Sequence, residues 1–264
     1  MIRESGHSPR GLSVYRRSVC PARVARHQKK GAHSRPGQER QNKEPRAVNF
    51  AIHREGYPFI ALFVAVNLLA FLLATWLGWL FLPITIWCIA FFRDPERKTP
   101  DSSGLIICPA DGKLLPVLDA VPPAELGMGE SPRPRLSIFM NVFNVHVNRN
   151  PVSGNVVALS YRAGKFFNAS FDKASIHNER MSIRLRPEGQ AAEGRDLAVV
   201  QIAGLVARRI VCDLTQGEGV RRGARFGIIR FGSRVDVYLP PGTEIMVQPG
   251  MTTRAGETIL ARFV

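Results

Sequence analysis

Hydrophobic and polar positions divide the chain into three textures. Residues 1–48 are rich in Arg, Ser, Gly, Pro and Gln and show no apolar periodicity. Such a segment cannot bury enough apolar surface to offset its chain entropy, and it reads as a disordered tail. From Tyr57 to Phe92 the pattern inverts: 36 residues carry no charged side chain and are mostly Leu, Phe, Ala, Ile, Val and Trp. An uncharged apolar run of that length is a candidate for crossing a membrane. It lies too far from the N-terminus for a secretory leader, and no small-residue cleavage site follows it. As one straight helix it would measure about 54 Å against roughly 30 Å of hydrocarbon, so a break is expected. Gly78 and Pro83 are the available punctuation, with 79–92 as a second leg. Residues 49–98 thus read as a membrane anchor shaped as a helical hairpin, inserted fully or shallowly.

After Pro100 short runs of Val, Ile, Phe and Leu alternate with Gly, Pro and Asn turns, at 105–108, 114–118, 136–142, 154–161, 181–186, 197–203, 206–213, 226–231, 234–239 and 258–263. This spacing predicts a mainly β body over 99–264, a compact barrel or sandwich. Residues 163–180 lack alternation and read as a loop with a helical turn. Ile106–Val117 and Val247–Ala261 echo each other as strand–glycine turn–strand units, like the halves of a lipoyl-type half-barrel. The echo supports a compact β body and carries no function by itself.

Charge changes the picture at one point. The formal net charge is +15, and twelve Lys/Arg against three Asp/Glu place +9 of it in residues 1–48. A basic excess favours a polyanion, either nucleic acid or an anionic membrane surface. The apolar run selects the membrane and excludes nucleic acid. Positive residues flank it on both sides: the basic tail and Arg54 before, then Arg93, Arg97 and Lys98. The positive-inside rule puts both flanks, and the body that follows, on the cytoplasmic side of the cell's inner membrane.

Candidate chemistry is sparse. Cys20, Cys88, Cys108 and Cys212 lie far apart without a C-x-x-C pair, so neither a metal site nor a redox dithiol is expected. Gly232-Ser233 lies between two β runs, 32 residues from the C-terminus; alone, it reads as a tight turn. His146 and His177 are the two histidines after the apolar run. A lone strand histidine such as His146 reads equally as a satisfied core residue, and Asp111 before Gly112 as a turn aspartate.

Five motifs taken in order add a resemblance. Phe92-Arg-Asp-Pro-Glu-Arg97, Pro109-Ala-Asp-Gly112, Asn144-Val-His-Val-Asn-Arg149, Gly164-Lys-Phe166 with Asn178-Glu-Arg180, and Phe231-Gly-Ser233 resemble the motif series of phosphatidylserine decarboxylase proenzymes, the shorter bacterial form most closely. The resemblance spans about 50–264. It implies that Ser233 attacks the carbonyl of Gly232 and that the bond breaks by serinolysis, giving chains 1–232 and 233–264 that stay together as a heterodimer. Ser233 then becomes a covalent pyruvoyl cofactor. That group forms a Schiff base with the amine of phosphatidylserine and draws electrons while carbon dioxide leaves and phosphatidylethanolamine forms. Glycine at 232 suits a peptide that must distort for this attack.

A serine hydroxyl needs a base. The resemblance assigns His146 as that base and Asp111 as the group that orients it. Longer relatives carry a second histidine three positions before the one matching His146. Phe143 stands there here, so its task does not carry over. Arg162, Lys165, Lys173 and Arg180 read either as solvated charge or as contacts to lipid phosphate or carboxylate. The rival readings are a non-enzymatic membrane-anchored adaptor and a serine hydrolase. The second lacks a G-x-S-x-G elbow around Ser233. Oligomeric state beyond the two chains is left open.

Overall fold

The computed structural model describes residues 51–264 apart from 165, 168, 170–176, 190–191, 193, 205–208 and 231. These residues lie within one compact unit, Ala47–Val264. The expected tail, 1–48, lies outside the described residues, as do Lys165, Lys173 and Phe231.

The apolar run folds as two helices, α1 (Tyr57–Leu73) and α2 (Thr75–Phe91). The hairpin is as expected, but its hinge is not. The chain turns at Ala74, which is extended (φ −160°, ψ 131°), whereas Pro83 lies inside α2. Gly78 serves packing instead: a Cβ there would sit 2.2 Å from the Phe71 ring. The second leg therefore starts at Thr75 rather than 79. Asn67 Nδ2 donates to the Gly78 carbonyl at 3.0 Å, joining the helices where polar partners are scarce. Arg54–Leu73 is long and apolar enough to cross a membrane, and α2 is a shorter apolar helix. Leu62, Leu69, Leu72, Trp76, Trp79 and Leu80 stand exposed along the pair.

Among the described residues fifteen strands follow: β1 (Leu105–Ile107), β2 (Gly112–Leu114), β3 (Leu118–Ala120), β4 (Arg133–Met140), β5 (Val147–Arg149), β6 (Gly154–Arg162), β7 (Arg180–Pro187), β8 (Leu197–Ala203), β9 (Ile210–Cys212), β10 (Gly219–Val220), β11 (Arg225–Ile229), β12 (Ser233–Tyr238), β13 (Thr243–Ile245), β14 (Thr252–Thr253) and β15 (Ile259–Phe263). A nine-stranded antiparallel sheet runs β10-β6-β7-β8-β12-β4-β2-β14, with β3 on β4. Two three-stranded sheets, β1-β15-β13 and β5-β11-β9, pack with it around one core. The body is mainly β, as expected, but it is built from several sheets, and no closed barrel forms among the described residues. The two echoing segments pair with each other, Ile106 opposite Ala261 and Lys113 opposite Thr252.

The alternation on β12 locates the site. Val235 and Val237 point into the main core with Leu136, Ile138 and Val199. On the other face, the Arg234 guanidinium lies on Asp236 (Nε–Oδ1 2.5 Å) and on Ser137 Oγ (2.9 Å). Every residue of β12 is buried, so its start, Ser233, is held at the centre of the sheet.

Candidate active site

Ser233 opens β12 opposite Met140 of β4 on one side and Ala203 of β8 on the other. It is fully buried, and its hydroxyl is directed at Met140 Sδ, 3.3 Å away. Thioether sulfur is a weak acceptor, so little holds the hydroxyl in place. Gly232 precedes it at φ +72°, a conformation that disfavours any side chain. Its carbonyl lies against Gly204, where an added Cβ would be 2.3 Å from Gly232 O. Two glycines thus shape the bond: one supplies the turn and the other makes room for the carbonyl.

His146 meets this bond. Its Nε2 is 3.4 Å from the Gly232 amide nitrogen, and its Nδ1 is 3.0 Å from the Asn144 carbonyl. A carbonyl can only accept, so Nδ1 carries the proton and Nε2 presents a lone pair toward Gly232. The ring is fully buried and packs on the Phe91 ring, tilted by 31° with centroids 4.2 Å apart. Burial pushes its pKa down from 6.5 to about 4, against the opposing pull of the Asn144 carbonyl. His146 is therefore a neutral base at physiological pH.

Asp111 does not join this pair. Its Oδ2 accepts from Arg97 Nη2 at 2.7 Å and its Oδ1 from the Ala255 amide at 2.7 Å. The orienting contact expected from Asp111 is made by the Asn144 carbonyl, two residues from His146 and within the same turn. Arg97 supplies a full charge to Asp111, which the neutral imidazole cannot. Asp111 instead links the chain before Gly232 to the chain after it, through Ala255. Thr253 adds to the same link by donating to the Ala110 carbonyl at 3.1 Å. Gly112 permits it, since a Cβ there would meet the Phe139 carbonyl at 2.2 Å.

The other motifs converge as supports. Asp94 is shared by Arg149 (3.3 Å) and Arg225 (2.5 Å), which joins the first motif to the third. Asn178 Nδ2 donates to the carbonyl of Ala203, the β8 partner of Ser233, at 2.7 Å. Gly164 lets its loop approach, because a Cβ would lie 2.4 Å from Asn178 C. Arg180 is bound to Glu125 and Ser182 Oγ also bonds that carboxylate, so Arg180 is committed within the protein. Arg162 is exposed, and His177 is exposed beside Phe167.

Sequence reasoning missed Phe91, whose role rests on α2 returning to the β5-β11-β9 sheet. Phe91, Phe92 and Cys88 form a cluster there with Val145, Val147 and Ile228. It also missed Gly204, which has no local motif. The cavity of about 630 Å³ bounded by Leu105, Val152, Pro187, Arg222 and Phe263 touches none of these residues.

A family model described as phosphatidylserine decarboxylase matches residues 84–261. A phosphatidylserine decarboxylase proenzyme of Cereibacter sphaeroides is 56% identical over 210 residues, which are 80% of this chain and 89% of that protein. Proteins of the same name from Ruegeria pomeroyi and Rickettsia africae are each 55% identical, over 80% of this chain and 94% and 90% of their own length. The chain is an enzyme of the decarboxylase class, and the adaptor reading is set aside. It belongs to the phosphatidylserine decarboxylase family.

Proposed function

We propose that this chain decarboxylates phosphatidylserine to phosphatidylethanolamine at a membrane surface, after cutting itself between Gly232 and Ser233 and converting Ser233 to a pyruvoyl group. The observation that carries the reading is the neutral His146, with its Nε2 against the amide of the left-handed Gly232 beside a buried Ser233 hydroxyl. His146 takes the hydroxyl proton as Ser233 Oγ turns from Met140 and bonds to the Gly232 carbonyl carbon. The carbon–nitrogen bond breaks, the proton passes to the freed nitrogen, and the peptide becomes an ester. Abstraction of the Ser233 Cα proton then expels the Gly232 carboxylate. Tautomerisation of the resulting enamine and hydrolysis of the imine release ammonia.

The surroundings fit the group. Gly204 leaves room for the Gly232 carbonyl, and the neighbouring core is apolar. Once formed, a pyruvoyl carbonyl supplies an electron sink for loss of carbon dioxide. His146 holds and returns protons at Nε2, and Phe91 keeps water from its ring. Asp111 acts as a positioning residue by pinning Ala255. The two chains stay together because residues 233–264 contribute β12 to the middle of the large sheet and β13 and β15 to another. The hairpin anchors the body, with the β sheets on the cytoplasmic side.

Intact mass under denaturing conditions tests the reading. Wild type should appear as 1–232 and 233–264, the small chain lacking a free amine. Ser233→Ala should remain one chain. A folded wild-type protein with one uncut mass would remove the pyruvoyl mechanism.

A further inference from the structure

We propose that the Asn141–Asn144 turn is a second membrane contact. Phe143 seats in the boundary between headgroups and acyl chains of a phospholipid bilayer, and this turns the Gly232–Ser233 region toward the lipid surface. The inference rests on the reading that the α1–α2 hairpin enters a bilayer.

Phe143 is 71% exposed. Single exposed apolar residues are ordinary, but this one is held out by a braced turn. Its amide donates to Asn141 Oδ1 at 2.8 Å, the Asn141 amide to Asn144 Oδ1 at 2.9 Å, and the Asn144 amide to the Asn141 carbonyl at 3.0 Å. The turn is also tied to the hairpin. Trp87 Nε1 donates to the Val142 carbonyl at 3.2 Å, and Arg93 Nη2 to the Phe143 carbonyl at 2.8 Å. Phe143 therefore stands level with the C-terminal end of α2, beside Arg93 and about one turn beyond the exposed Ile84 and Ile86.

Aromatic residues favour that depth, and cations beside them favour an anionic leaflet. The continuity with the exposed apolar flank of the hairpin selects a bilayer as the occupant rather than a protein. The same turn reaches the candidate site. Its Asn144 carbonyl holds His146, and Val142 Cγ1 is 4.0 Å from where a Gly232 Cβ would be. On the β8 side, Asn178 bonds both the Ala203 carbonyl and the backbone of Phe167, which is 45% exposed. Exposed aromatics thus flank the start of β12 on both sides. The half-buried Gly232, just before β12, therefore lies between two exposed aromatics.

The test uses the full chain with Cys20 and Cys212 changed to Ser, since Cys88 and Cys108 are buried. Phe143→Cys is labelled with bimane and mixed with phosphatidylcholine vesicles containing a minority of phosphatidylserine. Nitroxide placed high on the acyl chain should quench the label, and aqueous iodide should not. Phe143→Ser should still cut itself but turn over vesicle phosphatidylserine about tenfold more slowly, with Phe143→Leu restoring most of the rate. A soluble short-chain phosphatidylserine should be affected far less.

A vesicle-bound protein whose label remains open to iodide overturns this inference while leaving the hairpin reading intact. Equal loss on both substrates also overturns it, because the side chain would then shape the site rather than the docking. Failure to bind vesicles at all removes both. If Phe143→Cys does not mature, Phe167→Cys carries the same quenching test for the opposite flank.

Discussion

The hairpin and the β body are both rich in apolar residues, but they bury them differently. In α1 most large side chains face outward, and only Asn67 and Ala70 are buried. In β12 every residue is buried, including Arg234 and Asp236. A helix satisfies its own backbone and can leave its sides to lipid. A central strand needs partners on both edges and cover on both faces. The contrast ends at the hairpin base, where Phe91 packs on His146 and the Glu55 carboxylate pairs with Arg230. The hairpin and the candidate site therefore share a wall, so removing everything through residue 92 would strip His146 of its cover.

The sharpest way to break the comparison is at the β side of that wall. His146→Ala should slow self-cleavage by roughly 10²–10⁴-fold, followed as the uncut fraction over time, while His177→Ala should cut normally. Normal cutting by His146→Ala would move the base elsewhere. The pH profile adds a second measure. With a folded pKa near 4 against 6.5 when unfolded, His146 stays a competent base through mildly acidic pH, and the rate should fall only as pH nears 4. The same depressed pKa means that the unfolded chain takes the proton first. Its contribution to stability is present above 6.5 and is lost as pH falls through that value toward 4.

Phe91→Ala attacks the wall from the hairpin side. It should cost about 3–5 kcal/mol of stability in a denaturant melt. Relief of burial should also raise the His146 pKa, so the acid limb of the cleavage profile should move toward 6.5. An unshifted limb would mean that Phe91 serves only the fold. Asp111→Asn should have a smaller effect. It keeps an acceptor for Ala255 but loses the charge paired with Arg97, so cleavage should slow several-fold at most, and the cut chains should separate at lower denaturant by about 1–3 kcal/mol. A block as severe as that of His146→Ala would restore a direct catalytic part for Asp111. Deleting 1–48 should do least: vesicle binding and turnover should stay nearly unchanged, apart from a salt-screened electrostatic attraction.

The order of motifs, the apolar run and the Gly232-Ser233 step were legible because each is local in the chain. Most long strands were legible too, since alternation survives wherever one face is covered. The short strands β5, β10, β13 and β14 were not, because two or three residues carry no period and form only where a partner strand arrives. By itself, the sequence determined that an uncharged apolar pair of helices precedes a β body with Gly232-Ser233 between two of its strands. Tertiary structure alone decided that the hairpin turns at Ala74, because the Phe71 ring needs the bare face of Gly78. It likewise decided that Asp111 answers Arg97, and that burial depresses the basicity of His146. A charge takes the strongest partner within reach, and a pKa follows the burial around it. Both depend on which distant segments the fold brings together.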